Sequence, residues 1–257
     1  MTIHGFLTEV KDFGRLYDYL DMYDEVLPVE IPGHNGEVDF TKFTVEDTQQ
    51  VVLDAYDTLA AKHDKVDVVG FSMGGALATW LCCMRCVHRA VLIAPSNKYL
   101  NVYMPVEAIK FYGGLPFKSY KNGNGNLSER HKAVKLAFKP YKDNIAIASN
   151  ITRTRILKYI SPHTYKVFRD LMKVANEQVE SSSPIATDTM VLWGKLDELV
   201  PYKSVRFVTS HFVNAKCKVY PDIGHAMLYT NRDDVLIKDI TDFLSDGTYN
   251  NKISYSV

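Results

Sequence analysis

No charge of either sign predominates in this chain. Its 30 Lys and Arg equal its 30 Asp and Glu, which removes the electrostatic reason to expect nucleic acid or an anionic membrane as partner. Apolar runs of membrane-spanning length are also missing, so no integral membrane segment is expected. Met1 leads straight into Thr2-Ile3-His4-Gly5-Phe6 without a basic start, an apolar stretch and a small-residue cleavage site. A cytoplasmic protein is the expectation. Cysteine is scarce: Cys82, Cys83, Cys86 and Cys217, three of them inside one apolar stretch, suit reduced structural thiols better than a disulfide framework. Cys83 and Cys86 have C-x-x-C spacing, but no second pair completes a zinc site. There is no internal repeat, no Pro/Gly/Ser-rich linker between halves, and no low-complexity tract beyond the run from Asn122 to Asn126.

What is present is 46% apolar content over 257 residues, enough to bury one sizeable core. Short β-branched runs alternate with segments of helical period, the pattern of a mostly parallel sheet covered by helices on both faces, an α/β fold. Six strands are predicted, at Thr2 to Ile3, Glu25 to Ile31, Lys65 to Phe71, Ala90 to Ala94, Thr189 to Trp193 and Lys216 to Tyr220. Helices are predicted at Val10 to Met22, Thr44 to His63, Met73 to Arg85, Lys203 to Val213 and Asp233 to Ser245.

Between Ser96 and Pro184 the alternation stops and only helical stretches remain: Val106 to Tyr112, Leu127 to Lys142, Asn144 to Tyr159 and Pro162 to Glu180. Residues 96–184 therefore read as a helical insertion in a core made of 1–95 and 185–257, with Ser181 to Pro184 as a hinge. Charge is uneven here, since Lys98 to Glu180 holds 15 Lys/Arg against 6 Asp/Glu. A solvated basic surface accounts for that excess more simply than an acidic ligand does. Tyr99, Tyr103, Phe111, Tyr112, Phe117 and Tyr120 cluster near the entry to the insertion. Most such aromatics pack helices together; Tyr103 and Phe111 are the candidates for lining an apolar substrate pocket.

The chemistry centres on Gly70-Phe71-Ser72-Met73-Gly74, which follows the apolar run Val66 to Val69 and precedes the helix-forming run from Gly75 to Leu81. A serine at a sharp strand-to-helix turn, flanked by glycines that leave room for the backbone, is a nucleophile elbow. Serine needs a base and an acid to orient that base. Asp197 stands just past the strand ending at Trp193, at the edge where open parallel sheets place their sites. His225, preceded by Gly224 and following the last strand, completes the chain order Ser, Asp, His. Asp222 and Glu198 are weaker rivals for the orienting acid, the first too near His225 in sequence and the second pointing away from its neighbour. His63, His88, His131, His163 and His211 have no context that suggests a role, and His4 reads as structural support for the segment that follows it.

With these residues placed, the chain resembles the α/β-hydrolases, specifically the small lidded serine carboxylesterases and monoacylglycerol-lipase-like enzymes. His4-Gly5-Phe6 resembles the family's H-G segment, Pro32-Gly33-His34-Asn35-Gly36 its P-G-H-G loop, and Gly194 to Pro201 its G-x-x-D-x-x-V-P. Two departures are Glu30-Ile31 in place of the usual aspartate ahead of that loop and Asn35 interrupting it; a third is the start of the H-G strand at Met1, where the family commonly has two strands before it. The resemblance implies an oxyanion hole made by the backbone N–H groups of Phe6 and Met73, which also places both residues beside the substrate. It further implies a small-molecule ester substrate and an acyl-enzyme route; the aromatic content of the insertion favours apolar acyl groups of short to medium length, and a monomer or homodimer is expected. A serine at the elbow argues against dehalogenase and epoxide-hydrolase chemistry, which use aspartate there. No glycine-rich phosphate loop, metal-ligand pair or dinucleotide fingerprint is present, so no cofactor and no metal are expected. A thioesterase, a carbon-carbon bond hydrolase or an acyltransferase would use the same triad, and a non-catalytic ligand binder is the reading from outside enzymology.

Overall fold

The computed structural model describes residues 1–36, 38–99, 158–197, 199–230 and 232–245. Tyr103, Phe111, the helices expected at Val106 to Tyr112 and Leu127 to Lys142, and most of the one at Asn144 to Tyr159 lie outside these residues. Six parallel strands form one sheet: β1 (Thr2–Ile3), β2 (Pro28–Val29), β3 (Asp67–Phe71), β4 (Arg89–Ile93), β5 (Asp188–Gly194) and β6 (Ala215–Tyr220), in the order β2-β1-β3-β4-β5-β6. Registers run Thr2 opposite Val69, Val69 opposite Val91, and Val91 opposite Met190. β3 is buried at every position, as a strand covered on both faces must be, and its Val-rich sequence suits that place.

One face of the sheet carries α1 (Val45–Ala60), α2 (Met73–Met84), α3 (Pro162–Ser182) and α4 (Tyr202–His211); the other carries α5 (Asp233–Leu244) and the 3-10 segments Val10–Tyr19 and Met227–Tyr229. α1 begins where Thr44 accepts the Asp47 amide, with Glu46 and Asp47 at the positive end of the helix dipole. α2 is buried continuously from Met73 to Cys82, because it lies under both α1 and α3. Ser161 caps α3, Pro162 opens it, and Leu171, Met172, Ala175 and Val179 are packed with Leu77 and Leu81 of α2 in one cluster. Residues 162–182, which periodicity put at the end of the insertion, thus pack directly on the body of the fold. The chain after α3 is anchored too, since Ile185 N–H donates to His211 O at 2.8 Å.

Two expected elements differ. The helix expected from Val10 to Met22 is a 3-10 segment ending at Tyr19 and broken at Gly14, whose φ of 51° and ψ of −130° are far from helical. Glycine tolerates that conformation at little steric cost, so periodicity alone did not register the break. The strand expected from Glu25 to Ile31 shrinks to Pro28–Val29. It is the sheet edge and pairs only with β1, which leaves the sheet after Ile3 to form the His4-Gly5 segment.

Candidate active site

Ser72 sits between β3 and α2 with φ 55° and ψ −114°, in the left-handed region that a serine occupies only under constraint. The constraint is visible. Ser72 N–H donates to Ile93 O at 2.8 Å, and Ser72 O accepts from Ala76 N at 3.1 Å and Ser96 N at 3.0 Å. The flanking glycines are required by contact: a Cβ at Gly70 would lie 2.3 Å from Gly74 O, and one at Gly74 would lie 1.9 Å from Ile3 O. β1, β3 and α2 can converge on the serine only without those side chains.

Asp197 is reached through a turn tied to the neighbouring loop, with Lys195 N–H donating to Tyr220 O at 2.8 Å and Leu196 N–H to Ile223 O at 3.1 Å. Its Oδ1 accepts the amides of Leu199 and Val200 at 2.9 and 2.7 Å, which leaves Oδ2 for the Nδ1 of His225 at 2.9 Å. A carboxylate oxygen accepts, so Nδ1 carries the proton and Nε2 presents a lone pair. That lone pair faces Ser72 Oγ at 2.9 Å. All three side chains are buried, and the Phe71 ring lies 5.4 Å from the imidazole. The arrangement is able to take a proton from the serine hydroxyl while stabilising the imidazolium that results.

The other sequence candidates have different partners. Asp222 pairs with Arg232; Glu198 lies outside the described residues. His63 pairs with Glu25 at 3.0 Å, His88 with Asp67 at 2.7 Å, and His211 Nδ1 with Phe207 O at 2.6 Å. Met73 is the first residue of α2, so its N–H is among the donors that a helix leaves unpaired at its positive end, next to Ser72. Gly5 brings the Phe6 segment close, since a Cβ there would lie 3.1 Å from Ser72 Cβ. The Phe6 ring stacks on Phe168 of α3 at 4.7 Å and approaches Phe43 at 5.8 Å. In the sequence, Phe168 carries only the ordinary signal of a buried helical position.

In the sequence, His34 stands only as part of a loop motif. It is buried among Phe6, Phe40, Phe43 and His4, and its Nδ1 lies 3.0 Å from Pro32 O. Burial, helped by the neighbouring His4, lowers its pKa from 6.5 to about 3. The unfolded chain therefore binds one more proton than the native protein between those values, and stability contributed by neutral His34 is lost as pH falls through that window. In urea unfolding from pH 7 to 4, wild type should lose up to about 1.4 kcal/mol per pH unit more than His34→Gln does. Parallel curves for the two proteins would refute this account.

Burial likewise raises the Cys82 and Cys83 thiols to about 12 and about 11, so both stay protonated and unreactive near neutrality. Among the described residues, no group of three or more His, Cys, Asp or Glu converges as a metal site, and no helix is long and apolar enough to cross a membrane.

The sequence profile of the family described as alpha/beta hydrolase fold matches residues 28–232. No curated protein matches the chain. Among solved structures, the chain is similar to one from the metagenome-derived lipolytic enzymes LipS and LipT, at 16% identity and a TM-score of 0.64 over 95% of this chain and 92% of that one. It is similar to the monoacylglycerol lipase of Paleococcus ferrophilus at 15% identity and a TM-score of 0.64, covering 96% and 93%. A meta-cleavage product hydrolase from Pseudomonas fluorescens IP01 matches at 17% identity and a TM-score of 0.59, covering 96% and 90%. At such identities the likeness is one of fold.

Proposed function

The chain belongs to the alpha/beta hydrolase fold family, and from that premise we propose that it hydrolyses carboxylic esters through an acyl-enzyme intermediate. The observation that carries this reading is the buried relay from Ser72 Oγ through His225 to Asp197, with both contacts at 2.9 Å. Ser72 attacks the ester carbonyl while His225 Nε2 takes its proton. The amides of Met73 and Phe6 stabilise the oxyanion; one such donor typically contributes about 2.7–4 kcal/mol to the barrier. The tetrahedral intermediate collapses, the carbonyl reforms, and the alcohol leaves with the proton held by His225. Water then attacks the acyl-enzyme with His225 again as base, releasing the acid and restoring Ser72. No step draws on a cofactor.

The acyl group proposed is apolar and of short to medium length, selected by the 96–184 segment together with Phe6; Tyr103 and Phe111 belong to this proposal but lie outside the described residues. The lipolytic enzymes and the monoacylglycerol lipase among the fold neighbours support an ester substrate as the first choice. The same relay would serve carbon-carbon bond hydrolysis, and the meta-cleavage product hydrolase neighbour makes that the second reading.

Turnover of p-nitrophenyl esters of graded acyl length, beside acyl-coenzyme A thioesters and a meta-cleavage product, tests the choice. The expected result is a maximum at short to medium esters, slower thioester cleavage and labelling of Ser72 by a fluorophosphonate. Cleavage of the meta-cleavage product alone would replace the ester reading with the second one. A folded protein that neither turns over any substrate nor takes the label is not a serine hydrolase.

A further inference from the structure

The Phe6 N–H belongs to the same peptide unit as the Gly5 carbonyl. In a planar trans unit these two groups point in opposite directions, so whatever holds the Gly5 oxygen also aims the Phe6 amide. Thr8 Oγ1 donates to that oxygen at 2.8 Å and Thr8 N at 3.3 Å, and His4 Nδ1 lies 3.0 Å from it. The turn closed by Thr8 puts Leu7 at φ 58°. A residue with a side chain holds such a conformation only under constraint. Left to itself, the turn would relax and take the Phe6 amide with it.

His4 is held in its turn. Its Nε2 accepts the Ile31 N–H at 3.2 Å and lies 3.2 Å from Asn35 Nδ2. A backbone N–H can only donate, so Nε2 carries the lone pair and the ring proton sits on Nδ1, facing Gly5 O. Asn35 is oriented by the Val10 N–H, which donates to its Oδ1 at 3.0 Å and leaves the NH2 for His4.

Resting on the serine-hydrolase reading, we propose that Thr8 and Asn35 are positioning residues for the oxyanion hole. Thr8 acts directly on the Gly5–Phe6 peptide, and Asn35 acts through His4. Asn35 is the residue that interrupts the P-G-H-G pattern, and this gives the interruption a purpose. The carbonyl clamp has to resist movement when the oxyanion forms opposite it, so its effect belongs to the transition state and not to substrate binding.

Steady-state kinetics on a p-nitrophenyl ester, with fluorophosphonate labelling rates measured in parallel, test this in wild type, Thr8→Val, Thr8→Ser and Asn35→Ala. Removing the Thr8 hydroxyl should lower kcat about tenfold with KM within about twofold, because the amide donor is misaligned but not deleted. Thr8→Ser, which keeps the hydroxyl, should lie within about twofold of wild type, and Asn35→Ala should lower kcat about fivefold. Unchanged kcat in Thr8→Val, a loss confined to KM, or a Thr8→Ser variant as slow as Thr8→Val would overturn the proposal. Should Thr8→Val fail to fold in a thermal melt, Asn35→Ala decides by the same split. A wild type that is labelled but cleaves no ester retains a working serine, and the labelling-rate ratios then replace kcat. One that is neither labelled nor active loses the serine-hydrolase reading and the clamp's role with it.

Discussion

Ser72→Ala should lower kcat/KM for the best p-nitrophenyl ester by about 10⁶-fold, to the level of whatever the remaining site does by binding alone. The change removes one oxygen and little else. Alanine meets the same steric cost as serine at φ 55°, and the backbone bonds to Ile93, Ala76 and Ser96 do not involve the side chain. The variant should therefore melt with wild type and yet refuse the fluorophosphonate. Because the elbow is strained whichever residue occupies it, stability and activity separate cleanly here. Retention of more than about a hundredth of wild-type activity would show that another group performs the attack, and the acyl-serine route would have to be abandoned.

The second large effect is expected of Asp197→Asn, at about 10⁴-fold in kcat. The reason lies in how the carboxylate is divided. Oδ1 accepts the two backbone amides of Leu199 and Val200, and an asparagine keeps those bonds by placing its carbonyl oxygen there. Its NH2 group is then forced to face His225 Nδ1, where the carboxylate oxygen was. Two donors cannot face each other, so the imidazole shifts its proton to Nε2 and loses the lone pair that receives the Ser72 proton. The fold should survive. The pH-rate profile should rise at alkaline pH, where the serine proton is lost to solvent. A variant within tenfold of wild type would mean that the tautomer is set by something other than Asp197.

Much of the site was legible because its signals are local. The elbow needs small residues two positions before and two after the serine, and Gly70 and Gly74 can be read directly at that spacing. Asp197 and His225 were legible for a related reason: each follows a strand within a few residues, so strand assignment alone places both at one edge of the sheet. The rival Asp222 is separated from the site by a contact that spacing cannot show, its pairing with Arg232. The segment proposed to hold the oxyanion is legible only through family resemblance; of its proposed supports, Asn35 stands out in sequence only as an interruption of the P-G-H-G pattern, and Thr8 carries no signal of its own.

By itself, then, the sequence determined the parallel sheet, the helices with continuous apolar faces such as Met73–Met84, and the choice of Ser72, Asp197 and His225 as candidates, because periodicity and turn chemistry act over a few residues. Tertiary structure alone decided that Pro162–Ser182 covers α2 and that Phe6 stacks on Phe168, 162 positions further along. It also decided that Gly14 breaks the expected helix and that Asn35 steadies His4 across 31 residues. Those outcomes depend on which distant groups the closed fold brings within hydrogen-bonding or van der Waals reach, and no local pattern encodes that distance.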